Sequence, residues 1–489
     1  LLENDFEEQL TTFNGDATIN GREFKSLLES WFGRLNYDYD SRYLLSLSMR
    51  RDKSSKFADG NNVGTFPSVS AGWNLHREGF FPEDGFVNRL KIRAGYGELG
   101  ANFIEPYQFS SLAFGPIPTI FGQNQNGGPD LRSFGRVTQL LDSNLRWETA
   151  KSTNIGLELG LMENALSLTV EYFKKVNEDV LAPVSLAPSA GQTIFVNTGV
   201  PPDINSAEIE NKGLEFLVDY RNRKNQFKYN ISFNLSTIKN EVLSLGENVS
   251  PILGSLISGA FDDRPSTTDT GGPVGAFHGL VTLGLDGNGN FIFQDNNGRD
   301  AAGELTGQPD GQIDFDDRVQ IGDPFPDFTY GFNFGAEYKN FDFSLFLEGS
   351  QGNDIFSQIK YQNYFIYTSN VVVDALNAWT PSNTNTNIPI ATAENRTGGN
   401  ALPSDFYVED GSYLRLRNIQ IGYTLPQDIL SSLSISRARI YLGAQNLFTI
   451  TGYSGYDPDV SSSVTVDRGI DFQGYPNART FTLGFNATF

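Results

Sequence analysis

Residues able to do chemistry are few in this chain, and the densest group of them is acidic. Asp295 and Asn297 stand two apart, and Asp310-Gly311-Gln312-Ile313 and Asp317 follow after an interruption, Arg299 to Pro309. Carboxylates at alternate positions, a glycine for the turn and a distal acid are what a hard, oxygen-seeking cation such as calcium requires, with each ligand about 2.4 Å from one point. The competing reading is an acidic, solvated loop. A second phrase, Asp286-Gly287-Asn288-Gly289-Asn290, lacks a glycine at its sixth position and a closing ligand, and reads as a turn.

Other chemistries fare worse. Cysteine is absent, which removes disulfides, thiolate metal sites and cysteine nucleophiles. The two histidines, His76 and His278, stand far apart, so a histidine zinc site or a Ser-His-Asp arrangement is not expected. With 58 acidic residues, carboxylate pairs arise by chance and no pair is marked out for glycoside chemistry. No P-loop, nucleophile elbow or metalloprotease phrase is present. The expectation is that the chain is not an enzyme. A formal charge of −22 repels phosphate backbones, so nucleic acid is not an expected partner. The loop aromatics Tyr361, Tyr364, Phe365 and Tyr367 could stack on a sugar, face a protein partner or pack within their own loop.

The elements that must carry these residues are strands. Fifty glycines and 13% aromatic residues in 489 favour strands and turns over helices. No run of about 18 apolar residues exists, so no transmembrane helix is expected; a membrane barrel strand needs only about 10 alternating residues. Alternation recurs along the chain. In Asn154 to Leu161, isoleucine and leucines alternate with Gly156, Glu158 and Gly160. In Lys228 to Ser236, Tyr229, Ile231, Phe233 and Leu235 oppose Asn230, Ser232 and Asn234. In the last stretch, RTFTLGFNATF, Phe481, Leu483, Phe485, Ala487 and Phe489 share one face. About 13 such strands are counted. One breaks phase at Arg417-Asn418, where a β-bulge would restore the facing.

The connections alternate between short and long. Asp40-Ser41-Arg42, Met162-Glu163-Asn164 and Lys339-Asn340 are short; Glu98 to Arg146, Lys175 to Ala207, Ile238 to Asp327, Ser350 to Ser412 and Thr449 to Ala478 are long. Short periplasmic turns opposite long extracellular loops are the layout of a transmembrane antiparallel β-barrel in a bacterial outer membrane. Tyr37, Tyr39, Tyr43, Trp73, Tyr172, Tyr220, Tyr338, Tyr423 and Phe489 near strand ends read as its interfacial girdle. An even strand number and periplasmic termini then call for an odd number of strands before Trp31. Leu1 to Leu10, LLENDFEEQL, carries no signal-peptide pattern. The expectation is that residues 1–489 are the C-terminal part of one barrel domain.

Several phrases resemble the SusC/RagA family of TonB-dependent outer-membrane transporters. They include WFGRLNYDYDSRYLLSLSMRRDKSSKF (Trp31 to Phe57), NLRWETAKSTNIGLELGL (Asn144 to Leu161), ENKGLEF (Glu210 to Phe216), SYLRLRNIQIGYTLP (Ser412 to Pro426) and GYPNARTFTLGFNATF (Gly474 to Phe489). The resemblance spans nearly the whole chain in family order. It implies a nutrient importer of the Bacteroidota, with a barrel of about 22 strands. A SusD-like surface lipoprotein would form a lid, and TonB would supply energy by pulling on an N-terminal plug that this sequence lacks. The substrates implied are oligosaccharides or peptides, and the assembly implied is two barrels with two lids in outer-membrane lipid.

The resemblance also implies a calcium-loop-like phrase, D-x-N-x-D-G-x-I-x-x-x-D, whose start Asp295 and Asn297 and whose end Asp310 and Asp317 would supply. No cofactor is otherwise required. As the family's terminal strand, Phe481, Leu483, Phe485 and Phe489 would close the barrel and serve as its assembly signal. Two rival readings stand beside the importer: a SusC-like barrel acting as a scaffold in a larger outer-membrane assembly, and a surface β-rich glycan-binding module.

Overall fold

A computed structural model describes residues 25–82, 85–106, 109, 113–123, 129–137, 142–183, 203–246, 249–257, 264–365, 371–391, 399–430, 435–460, 462 and 464–489. Thirteen of its strands form one sheet in which each pairs antiparallel with the next. They are β1 (Leu28–Tyr39), β2 (Tyr43–Ser54), β3 (Val63–Asn74), β4 (Val87–Ala101), β5 (Glu148–Leu161), β6 (Leu166–Pro183) and β7 (Asp203–Asn222), then β8 (Phe227–Thr237), β9 (Phe328–Tyr338), β10 (Phe341–Gln351), β11 (Tyr413–Thr424), β12 (Arg437–Thr451) and β13 (Thr480–Thr488). Every strand expected from alternation is present. Several run farther than the alternation does. Leu166–Pro183 continues about ten residues past Tyr172 because backbone pairing persists where neither face needs to be apolar.

The register sorts residues between two faces. Across β12 and β13, Ile440 opposes Phe485, Leu442 opposes Leu483 and Ala444 opposes Phe481. Of these, Phe481, Leu483 and Phe485 stand at 72%, 75% and 62% exposure. An uninterrupted apolar face of this kind belongs in lipid. The opposite face carries Arg439, Tyr441 and Gly443 against Asn486, Gly484 and Thr482. No described helix is long and apolar enough to cross a membrane.

Short turns close one end. Asp40 and Ser41 adopt φ of 52° and 51°, and Met162, Glu163 and Asn164 lie between 53° and 62°. Such left-handed pairs match the twist of the flanking strands. Aromatic rings gather at this end. Tyr39, Tyr43 and Trp73 stack in series at 6.3 Å, Tyr220 lies 5.8 Å from Tyr229, and Phe341 lies 4.8 Å from Tyr423. Trp73 Nε1 also donates to Glu78 at 2.9 Å. An apolar ring with a polar tip suits the membrane–water boundary.

The expected bulge is present. Leu416 pairs with Leu347 and Asn418 with Phe346, and Arg417 is left over. Isoleucines 419 and 421 and leucines 414 and 416 thereby stand on one face despite their opposite parity. At the other end, the long connections build small sheets: residues 252–253, 266–268, 276–279 and 319–322 form one, and Asp354–Ser357 pairs antiparallel with Val408–Asp410 and parallel with Ile470–Asp471. These lay outside what period-2 alternation could show, being two to four residues long.

Tyr441 lies flat over Gly484, where a Cβ would stand 2.1 Å from the ring. Gly484→Val should therefore overpack this pair by about 1–3 kcal/mol and lower the amount of assembled barrel, read by heat-modifiable gel mobility of outer membranes. Adding Tyr441→Ala should restore it.

Candidate functional site

The inner face of the wall is charged, and its charges are paired across strands. Glu158 receives Arg89 at 2.8 Å, Arg93 at 3.3 Å and Lys91 at 3.4 Å. Arg93 also binds Glu171, which accepts from Asn154 at 2.6 Å. Arg439 grips Asp342 and donates to Gln420 at 2.9 Å. Alternation places all of these on the face opposite the lipid-facing leucines, so the strand pattern alone positions them.

Near the long-loop end the wall holds a buried cation. Arg415 is 1% exposed. It pairs with Asp457, reaches Asp459 at 3.4 Å and donates through Nε to Thr449 at 2.9 Å. The bulge turns Arg417 to the same side, where it binds Glu348, Asp459 at 3.0 Å and the Asn446 amide oxygen at 3.2 Å. Asp457 further accepts from the backbone and side chain of Asn477, at 3.1 and 3.0 Å. Burial works to raise the Asp457 carboxyl. The N–H groups of Asp459 and Asn477 and the Arg415 guanidinium outweigh it, holding the group below the usual carboxylate range. The sequence showed the phase break but not that it aims Arg417 inward; the phrase Asp457-Pro458-Asp459 was the signal to match with it.

This network ties the last long loop to the wall, and the loop ties the other loops together. Tyr453 donates to Asp471 at 2.6 Å, and Ser454 bonds Glu409 through its N–H and hydroxyl. Asp467 accepts from the Ser255 N–H at 2.8 Å. Ile257, Phe277, Phe356, Tyr361, Tyr364, Tyr407 and Ile470 then form one apolar core drawn from three of the long connections. Tyr361 and Tyr364 are therefore buried within the loops: Tyr361 donates to the Ala401 carbonyl at 2.7 Å, and burial pushes the Tyr364 phenol up to about 12. Phe365 ends the helix Gln358–Phe365, and Tyr367 lies outside the described residues.

The acidic loop is also drawn together. The interruption folds out as a hairpin, with Arg299 bridged to Leu305 and the Thr306 N–H donating to Gly298 at 2.9 Å. Asp295, Asn297, Asp310 and Asp317 consequently share one small region. Their oxygens face backbone donors. Asp295 accepts from Gly311 at 2.7 Å, Asn297 from Gly307 at 2.6 Å and Asp310 from Gln312 at 2.9 Å. Buried Asp317 accepts from Asn296, Asn297 and Asp314 at 2.7, 3.0 and 2.9 Å, using both oxygens. Burial favours its neutral form, but those three donors hold it below the usual range. Among the described residues, no three His, Cys, Asp or Glu side chains are placed to hold a metal ion. The Asp295 and Asp317 side chains also bond each other, and no functional step is routed through calcium here. The phrase from Asp286 to Asn290 is a turn: Asp286 accepts from Asn288 and Asn290 at 2.9 and 2.7 Å.

Comparison with known proteins follows the same lines. The family described as TonB dependent receptor-like, beta-barrel matches residues 3–447. TonB-dependent receptor P3 of Formosa agariphila is 35% identical over 480 residues, covering 94% of this chain and 45% of that protein. TonB-dependent receptor SusC of Bacteroides thetaiotaomicron is 29% identical over 478 residues, covering 95% and 44%. The chain thus spans about half the length of the curated relatives it matches. The solved RagAB peptide transporter superposes with a TM-score of 0.75 at 23% identity, over 95% of this chain and 48% of that one; at that identity the likeness is one of fold.

Arg415→Leu leaves Asp457 buried without its cation, an effect of about 3 kcal/mol. Limited proteolysis should then cut residues 452–478 while the strands stay protected. Because the Asp457 carboxyl is depressed, the contribution is complete above the unfolded carboxylate range, near pH 4, and is lost as pH falls through the lower folded value. The same cleavage should appear in the parent chain only under that acid condition. For the acidic loop, Asp317→Ala should lower thermal stability by about 1–3 kcal/mol equally with calcium and with chelator, and calorimetry should register no calcium heat.

Proposed function

Since the chain belongs to the TonB dependent receptor-like β-barrel family of the outer membrane, we propose that it forms barrel wall and capturing loops of a SusC-like importer of oligosaccharides or peptides. The observation that carries this reading is the loop body. Three long connections share one apolar core, and the last of them is fastened by Arg415 and Arg417 to the inner wall, which would put a shaped, stiff surface over the lumen. A scaffold needs no such surface aimed inward. A soluble glycan-binding module is at odds with the exposed apolar face of Phe481, Leu483 and Phe485.

In this role a SusD-like lipoprotein covers the loop body, and TonB acts through a plug elsewhere in the protein. In this reading no residue performs covalent chemistry, and inner-face carboxylates such as Glu158 and Asp342 are engaged by arginines. The assembly of two transporters with two lids, and residues 1–489 as part of a single barrel domain, belong to the same proposal. RagAB is a transporter of peptides, and for the present chain sugars and peptides are both open to test.

Deleting the gene should abolish growth on one class of oligomer, with monomers still used, and uptake of labelled oligomer should fall in parallel. A deletion strain that grows normally on glycan and peptide mixtures alike, yet loses a multiprotein outer-membrane complex, would favour the scaffold. Phe481, Leu483, Phe485 and Phe489 are the proposed assembly strand. Phe489→Ala should reduce the amount of protein in the membrane and leave uptake per assembled molecule unchanged.

A further inference from the structure

Three crossings between the loop body and the wall lie side by side, and each brings a carboxylate. Residues 322–328 lead into β9 with Asp323 and Asp327, residues 351–354 lead out of β10 to Asp354, and residues 408–413 return to β11 with Asp410. Backbone bonds fasten the crossings to one another. The Asp323 N–H donates to Asp354 Oδ2 and the Asp354 N–H to the Asp323 carbonyl, both at 2.8 Å. The Asp327 N–H donates to the Gln351 carbonyl at 2.9 Å, and the Gly411 N–H to the Asn353 carbonyl at 2.8 Å. Asp354 stands directly opposite Asp410 in register. Gly352, at a φ of 84°, admits Asp327, since a Cβ there would stand 2.3 Å from Asp327 Oδ2. The four carboxylates therefore share one neck between loop body and wall.

Charge in this neck is unbalanced. The described partners of the Asp323, Asp354 and Asp410 carboxylates are the N–H groups of Phe325, Asp323 and Ser412. Arg468, from the last long loop, supplies positive charge to Asp323, with its guanidinium carbon 4.5 Å from the centre of the Phe325 ring. Across the adjoining cleft, Lys212 and Lys239 are engaged by Glu210 and Glu241. Glu409, beside Asp410, is engaged by Ser454 and reaches Lys360 at 4.0 Å. Burial, joined by the charges of Asp354 and Asp327, holds the Asp323 carboxyl above the usual range. Burial and the charges of Asp410 and Asp327 do the same to Asp354.

We propose that this neck is a pH-sensitive joint: its ionised carboxylates push the three crossings apart and loosen the loop body, and a proton taken up at Asp323 or Asp354 draws them together. The backbone bonds survive that proton, because a neutral carboxyl still accepts through its carbonyl oxygen. Since both carboxyls are raised in the folded protein, the stabilisation is complete below the unfolded carboxylate range, near pH 4, and is lost as pH rises through the higher folded values. The Arg415–Asp457 anchor has the opposite sign. The loop body is therefore held most tightly in mild acid.

Hydrogen exchange of the full-length protein in detergent tests this, at about pH 4.5 and about pH 7.5, with labelling times scaled to equal intrinsic exchange. Peptides covering residues 322–328, 351–356 and 408–413 should be several-fold better protected in acid. Asp323→Asn/Asp354→Asn keeps the accepting oxygens and removes the charges, so these peptides should become equally protected at both pH values, at the parent's acid level or above. Asp286→Asn, in a turn of the same long connection, should keep the parent's difference. Should the double variant fail to assemble, Asp354→Asn alone should narrow the difference by raising protection at the higher pH. Equal protection of the parent at both pH values, better protection near neutrality, an undiminished difference in the neck variants, or the same loss in Asp286→Asn overturns the proposal.

Discussion

Everything in this structure follows from one constraint: in lipid, each backbone N–H and C=O must find its partner inside the protein. A closed sheet is one of two ways to achieve that. Once the backbone is committed to long antiparallel pairing, side chains must alternate between lipid and lumen with period 2. The alternation does the work that a hydrophobic core does in a water-soluble protein. Ile440, Leu442 and Phe485 are exposed, yet they are where the fold demands apolar surface. Arg439 and Asp342, one position away, face inward and neutralise each other.

The same constraint makes a departure from period 2 informative. Leaving Arg417 unpaired keeps leucines 414 and 416 and isoleucines 419 and 421 on one face. The surplus residue has to go somewhere, and it goes inward, onto Glu348 and Asp459. The bulge is thus both a correction of facing and the anchor of a loop. From that anchor, Asp457 and Tyr453 lead to Asp471, and Ile470–Asp471 pairs with Phe356–Ser357. Bulges that re-aim a side chain are common beside functional regions, and this one joins wall to loop body in a single residue.

What could be read from the sequence, and what could not, divides along this boundary. Within the membrane the environment forces a repeating pattern, so all thirteen strands, the bulge and the aromatic ends were legible. Beyond it, a loop residue answers to partners far away in the chain. Nothing local in Tyr361 says that it packs against Tyr407 and donates to Ala401, and nothing in Asp467 points to Ser255. The acidic phrase shows the limit well. Its residues were brought together as their types suggested, but their oxygens turned to backbone N–H groups, because an excised hairpin leaves bare donors that the nearest carboxylates must satisfy.

The energetics of the inner wall bear on how such a barrel opens. Widening it would separate pairs such as Arg93–Glu171, Arg439–Asp342 and Arg417–Glu348 while stretching continuous hydrogen-bonded ladders. These pairs are partly exposed, so each contributes less than the about 3–5 kcal/mol of a fully buried pair, but several would have to go together. Lifting the loop body would break Arg415–Asp457 and expose Ile257, Phe277 and Phe356 as well. Both routes are steep. Rearranging something that fills the lumen disturbs neither the ladder nor the loop core. A stiff wall and welded loops are therefore what a transporter needs if an energy-coupled segment, and not the wall, is the moving part.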